Sequence, residues 1–290
     1  MVELNINKDT DIALEIYEAA VRNRRESRGY LGMSEIGKPC TKAVWFSWRR
    51  FTPTPWDGRI LILFEFGDLA EQLLTKSLRL GGYELQNAYP DRQLSFEDHG
   101  GFFAGHCDGL VRLRTIEKSP WAILECKSMN TKKFDDFKRH DLEVSNPTYY
   151  AQVQAYMGYR GLEHAMLIAF NKNDSAIHHK IIRFRPDVFQ AIKDKAAMVL
   201  NSHNQDGSIA IPLRGFDDPQ CLECRYCGYR FHCWDDGDAI QTTASCRSCK
   251  YFQLLAPEFK PRCLHASHEV ELTNVNLSCP DYQFIGSVPF

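Results

Sequence analysis

Trp121-Ala-Ile-Leu-Glu-Cys-Lys-Ser128 is a short apolar run that ends in an acid and a lysine two positions apart. A run of this length and composition reads as a buried strand. Strand side chains alternate between faces, so Glu125 and Lys127 point the same way. Upstream, Phe102-Phe-Ala-Gly-His-Cys-Asp-Gly109 reads as a second strand that delivers Asp108 to a turn-like glycine. Paired as a hairpin through the polar connection at 114–120, the two strands bring Asp108 to Glu125 and Lys127 at one end of a sheet. The expectation is two carboxylates and one ammonium in one place.

That set suits phosphodiester hydrolysis. Hard oxygen ligands hold Mg²⁺ or Mn²⁺ while leaving positions for water and a phosphate oxygen, and Lys127 would place the attacking water or stabilise developing charge. A lone Glu-x-Lys is more often a solvated pair at a strand end. Two helical segments alter that balance. Phe64-Glu-Phe-Gly-Asp-Leu-Ala-Glu-Gln-Leu-Leu-Thr-Lys-Ser-Leu78 reads as an amphipathic helix with Glu71 one turn after Gly67. Tyr149-Tyr-Ala-Gln-Val-Gln-Ala-Tyr-Met157 places Gln152 and Tyr156 at i, i+4, on one helix face.

In order, Gly67…Glu71, Gly105-His-x-Asp108-Gly, Glu125-x-Lys127 and Gln152-x-x-x-Tyr156 resemble the PD-(D/E)xK nucleases, specifically the RecB-like exonuclease branch, over roughly residues 30–235. The resemblance implies a restriction-endonuclease-like core with Asp108 and Glu125 as metal ligands, the Cys126 carbonyl as a third oxygen and Lys127 as the catalytic lysine. Glu71 stands where many relatives carry a histidine or glutamate, which implies a further ligand. Gln152 and Tyr156 match the motif that helps hold the DNA and the active site. Cys107 precedes Asp108 where the superfamily's name implies proline.

Eleven cysteines in 290 residues would suggest disulfides in a secreted chain, but residues 1–10 are polar and charged, with no apolar signal core. No apolar run is long enough to span a membrane. The expectation is a cytoplasmic chain whose clustered cysteines bind metal. In Cys221-Leu-Glu-Cys224-Arg-Tyr-Cys227-Gly-Tyr-Arg-Phe-His-Cys233, the last three have the spacing C-x2-C-x5-C, which in the RecB-like nucleases pairs with one distant upstream cysteine. Cys40 fits that place, so the resemblance implies a [4Fe–4S] cluster on Cys40, Cys224, Cys227 and Cys233. A local ferredoxin-like set with Cys221 in place of Cys40, or a zinc knuckle, stays open. Further on, Cys246-Arg-Ser-Cys249, Cys263 and Cys279 fit a tetrahedral structural zinc site, and His265 or His268 could replace one of the later cysteines. A tail of about fifty residues struggles to build a core without such a staple.

The chain therefore reads as a nuclease domain over 1–235 and a zinc module over 246–290, divided by an acidic, polar stretch. Helices are expected over 11–25, after Cys40, over 61–80, from Pro147 and over 186–201, with further strands at 165–170 and 178–184. The fold class is α/β, a mixed sheet flanked by helices. Net charge is −2, with 44% hydrophobic and 25% charged residues, so any DNA contact must come from local patches. Lys132 and Lys133, close in sequence to Lys127, are candidates for phosphate contact, and Tyr149 and Tyr150 for stacking on unpaired bases. The expected function is a metal-dependent exonuclease acting on DNA ends with single-stranded or resected character, alongside a recombination or replication partner. A flap or structure-specific endonuclease and a non-catalytic DNA-binding scaffold are the alternatives.

Overall fold

A computed structural model of the chain describes residues 11–24, 28–51, 56–114, 116–204, 208–234, 244–271, 274–275 and 277–285. The elements, in chain order, are α1 (Ile12–Arg22), β1 (Leu31–Gly32), α2 (Thr41–Trp48), α3 (Gly58–Leu80), β2 (Leu85–Gln86), β3 (Leu94–Asp98), β4 (Phe103–Cys107), β5 (Gly109–Arg112) and β6 (Trp121–Met129). They continue with α4 (Thr131–Arg139), α5 (Leu142–Ser145), α6 (Pro147–Arg160), β7 (His164–Asn171), β8 (Ile177–Arg183) and α7 (Pro186–Leu200). The last are α8 (Leu222–Arg225), α9 (Arg230–Trp234), β9 (Phe252–Leu255), β10 (Lys260–Cys263) and β11 (His268–Glu269).

The acid-and-lysine run becomes β6, the middle of a five-stranded mixed sheet in the order β2-β5-β6-β7-β8. It pairs parallel with β7 and antiparallel with β5. A parallel neighbour requires a crossover, which α4, α5 and α6 supply. Because helices cover both faces, β6 has no polar side of its own: Ala122, Ile123 and Leu124 are all fully buried. Leu124 and Ala122 pack with Leu74 and Leu78 of α3, while Ile123 faces the opposite layer with Val153 and Ala155 of α6. Each such large aliphatic side chain contributes about 2 kcal/mol by burial.

The expected hairpin needs correction. Residues 102–109 do not form one strand against β6; the chain bends at Asp108 and changes sheets. β4 belongs to a separate three-stranded sheet, β1-β4-β3, and it is β5 that pairs with β6. Gly109 permits the switch by close approach, since a Cβ there would lie 2.5 Å from the Cβ of Ala88. The bend leaves Asp108 at the junction of the two sheets.

Local signals set the helix ends. Asp57 caps α3, accepting from the Ile60 amide at 2.9 Å, so the helix begins three residues before the expected start. α6 starts with Pro147 at its first turn, is capped by Asn146, and ends at Gly161 in the left-handed region. α1 stops at Arg22, short of the expected Arg25, which lies outside the described residues. No described helix is long and apolar enough to cross a membrane.

The described residues from 244 onward carry a small antiparallel sheet, β11-β10-β9, and pack against the main body. Phe252, Leu254, Phe259, Val275 and Ile285 share one hydrophobic cluster with Trp48, Phe51 and Phe102. Arg49, fully buried, donates to the carbonyls of Cys249 (2.8 Å) and Phe252 (3.4 Å). Arg247, also buried, donates to the carbonyls of Trp48 (2.7 Å) and Arg28 (2.9 Å) and lies over the Trp48 ring. The expected dividing stretch falls largely on residues 235–243, outside the described residues.

Candidate functional site

Alternation along β6 places Glu125 and Lys127 side by side, and the Lys127 ammonium donates to Glu125 Oε1. The bend after β4 turns Asp108 back onto β6, where its Oδ2 accepts from the Cys126 amide at 2.7 Å. From the opposite helix, Gln152 Nε2 donates to Glu125 Oε1 at 2.8 Å and to the Tyr156 hydroxyl at 3.1 Å, the i, i+4 pair acting as one unit. Tyr156 is held by stacking on Phe96 and by Gly105, whose missing side chain lets the phenol ring approach. α3 brings Glu71 to the same place through Gln93, whose amide donates to Glu71 Oε1 at 2.9 Å and to Asp108 Oδ1 at 3.4 Å.

Burial and like charge push these carboxyls upward. Burial first, then the Asp108 charge, raise Glu125 to about 8 against the pull of Lys127, and burial with Asp108 raises Glu71 to about 7. Burial also raises Asp108, partly offset by Lys127 and by the Cys126 amide. For Lys127, burial opposes the charge, but Glu125 and Asp108 outweigh it and hold the ammonium above its ordinary value. Glu125 Oε2 and Gln152 Oε1 are buried without a hydrogen-bond partner. An orphaned carboxylate oxygen beside two more carboxyls is what a bound cation would satisfy. The donors thus fit a hard divalent ion, although among the described residues no three His, Cys, Asp or Glu side chains converge as ligands of a single ion would.

These groups line a cleft of about 840 Å³. Asp108, Glu125, Cys126, Lys127, Glu71, Gln152 and Tyr156 all reach it, as do Lys133 and Tyr149. The Tyr149 ring centroid lies 4.8 Å from the Lys127 ammonium. Lys132 and Tyr150 do not line the cleft; Tyr150 instead sits among Gln154, Glu143 and Arg185. Sequence reasoning missed Gln93, Asp68, Arg28 and Lys172, all on the cleft wall. Asp68 was the recoverable one, since it precedes Glu71 by three residues on the same helix.

Cys40, Cys224, Cys227 and Cys233 line a second, much smaller cavity of about 30 Å³ with Arg214, Gly215 and Trp234. Cys221 is not in its wall; its sulfur accepts from the Cys224 amide as the cap of α8. In the tail, burial raises the Cys246 thiol to about 11, and Cys279, Cys249 and Cys263 add to the rise. His265 stacks on Tyr251, and His268 lies opposite Cys263 in the β10–β11 pair.

No family model matches the chain, and neither does any curated protein. Among solved structures, the alkaline exonuclease LHK-Exo of Laribacter hongkongensis superposes with a TM-score of 0.41 at 15% identity, covering 64% of this chain and 90% of that one. SSO0001 gives 0.41 at 13%, covering 79% and 99%. A phage-related exonuclease of Haemophilus somnus 129PT gives 0.32 at 17%, covering 46% and 64%.

Proposed function

We propose that the chain is a metal-dependent deoxyribonuclease that hydrolyses phosphodiester bonds at DNA ends, a RecB-like PD-(D/E)xK exonuclease. The observation that carries the reading is the convergence of Asp108, Glu125 and Lys127 with Glu125 Oε2 buried and unpartnered. Asp108 and Glu125, with Glu71 beside them and the Cys126 carbonyl as a further donor, would hold Mg²⁺ or Mn²⁺. When bound, such an ion activates water and neutralises charge on the phosphate. Lys127 keeps its proton and presents it to the reacting phosphate or water. Gln152 fixes Glu125 by one carboxylate oxygen, which leaves Oε2 free to bind. Tyr156, whose phenol burial and Glu125 drive upward, stays neutral and positions Gln152.

The test is purified protein with linear, circular and differently end-labelled DNA in Mg²⁺ or Mn²⁺. End-dependent loss of label from linear DNA, with circles spared, supports the exonuclease. Cutting of circles or flaps points to an endonuclease, and DNA binding without cutting points to a scaffold.

Two structural metals belong to the same reading. The cavity walled by Cys40, Cys224, Cys227 and Cys233 favours a [4Fe–4S] cluster on those four over the set containing Cys221. Cys246, Cys249, Cys263 and Cys279 would hold zinc. Anaerobically purified protein should contain about four irons and about one zinc. Cys40→Ser should lose the iron and Cys221→Ser should retain it; the reverse assigns the cluster to the local set.

A further inference from the structure

Phe64 stands two turns before Glu71 on α3. Seven residues advance a helix by about 10.5 Å and return to nearly the same face, and Phe64, Asp68 and Glu71 all line the catalytic cleft. The Phe64 ring is half exposed, at 51%, and meets the 54% exposed Trp56 ring edge-on with centroids 5.5 Å apart. A large aromatic ring left open to water on the wall of a charged cleft, with a second exposed ring set against it, calls for a ligand with an apolar face.

Gly67, between Phe64 and Glu71, is a second and independent sign. Glycine in the interior of a helix is destabilising relative to alanine. Here no steric demand explains it, because a Cβ at Gly67 would meet nothing within 4 Å, and its φ is not positive. The missing side chain leaves a bare track on the cleft wall from the aromatic pair to the carboxyls. Its length, about 10.5 Å, matches about three stacked nucleotides at 3.4 Å each.

We propose that Trp56 and Phe64 form a stacking platform for unpaired nucleobases of a DNA strand end, with Gly67 keeping the path to Asp108 and Glu125 open. The inference rests on the nuclease reading and narrows its substrate to ends that present unpaired bases. Every base offers a π face, so stacking holds a strand without reading its sequence. A neutral contact also suits a cleft whose floor carries three carboxyls, where phosphates alone gain less.

The experiment uses full-length Asp108→Asn protein, which binds without cutting, titrated with a ten-nucleotide oligo-dT and with a blunt-ended DNA hairpin. Oligo-dT should quench tryptophan emission, and Trp56→Phe should remove most of that quench while affinity stays within about threefold. Phe64→Ala should weaken oligo-dT binding about tenfold and the blunt hairpin much less. Phe64→Tyr should restore binding, and Phe64→Leu should not. Gly67→Ala should raise the melting temperature yet weaken oligo-dT binding. Wild-type affinity in Phe64→Leu shows that binding needs no aromatic ring there and overturns the platform. Equal loss on both DNAs, or none, also overturns it. Those results leave the nuclease reading standing if the unmutated protein cuts DNA. A protein that neither binds nor cuts any DNA sinks both.

Discussion

At the floor of the cleft, Glu125 is buried and Lys127 partly buried, while Glu125 Oε2 and Gln152 Oε1 lack any protein partner; at the seam between α2 and the tail, Arg49 and Arg247 are buried as deeply as Glu125 but are hydrogen-bonded to backbone carbonyls. Among the described residues of the seam, Arg49 Nε and the neighbouring Trp48 Nε1 are left over. A buried polar atom without a partner costs about 1–3 kcal/mol, a cost that a bound ligand offsets. The seam shows the same kind of charge spent on joining two parts of the chain. Deep burial of charge therefore does not mark function by itself, and neither does a lone orphaned atom, since Asn201 Oδ1 and the His203 ring nitrogens are orphaned outside the cleft; an orphaned carboxylate oxygen beside two further carboxyls does.

The sharpest way to break this contrast is to neutralise the floor. Asp108→Asn, Glu125→Gln and Lys127→Ala should each lower DNA cleavage by about 10³-fold or more, since each removes a group that acts on developing charge. Glu125→Gln should fold at least as well as the parent, because it replaces a carboxylate that burial disfavours with a neutral isostere. Gel-based cleavage and thermal melting of the same samples check both halves. A folded Lys127→Ala protein with full activity would remove the proposed chemistry.

The seam should fail in the opposite manner. Arg247→Ala strips donors from the carbonyls of Trp48 and Arg28 and leaves a gap over the Trp48 ring. The expected loss is about 3 kcal/mol, or roughly 6–12 °C in melting temperature. DNA cleavage measured well below the melting temperature should change little. Removing residues 244–290 altogether should cost more, since Phe252, Leu254 and Ile285 leave a shared cluster. A truncated chain that melts like the parent would show that the tail is a separable module.

A pH series sharpens the comparison further. Glu71 and Glu125 have folded-state values raised to about 7 and about 8, above their ordinary carboxylate range. For a raised group, the stabilisation is complete below the unfolded value and is lost as pH rises through the folded one. Metal-free protein should therefore lose stability from about pH 4.5 to about pH 8. Divalent ions bind the ionised forms, so the rise in melting temperature given by Mg²⁺ or Mn²⁺ should grow between pH 6 and pH 8.5. A metal-induced shift that is flat or shrinks over that range would separate these carboxyls from the metal.

Much of the cleft was legible because it depends on period. The alternation of a strand brings Glu125 to Lys127, and the turn of a helix brings Gln152 to Tyr156. What was not legible depends on packing between distant segments. The sheet switch at Asp108 rests on Ala88 filling the space beside Gly109. Gln93 bridges Glu71 and Asp108 from a loop with no pattern of its own. Arg49 and Arg247 look in sequence like surface cations, and only the docked tail turns them inward. Phe64 reads in sequence as one residue of an amphipathic helix and nothing in the pattern singles out Trp56, since periodicity says which face a ring is on but not that the face is left open.

The smallest expected effect tests how finely the cleft wall is drawn. Lys132 and Lys133 are neighbours in the first turn of α4, about 100° apart around the helix, and only Lys133 lines the cleft. If the cleft is the DNA path, Lys133→Ala removes one phosphate contact. It should reduce the slope of log affinity against log salt by about 0.9 on duplex DNA and weaken binding a few-fold near physiological salt. Lys132→Ala should leave the slope nearly unchanged. The adjacent tyrosines form a matching pair, because Tyr149 stands over Lys127 while Tyr150 sits among Gln154, Glu143 and Arg185. Tyr149→Ala should therefore weaken binding and Tyr150→Ala should not. Fluorescence anisotropy over a salt series measures all four variants. Equal slopes for the two lysine variants, with both tyrosine variants binding alike, would mean that DNA does not run along this wall.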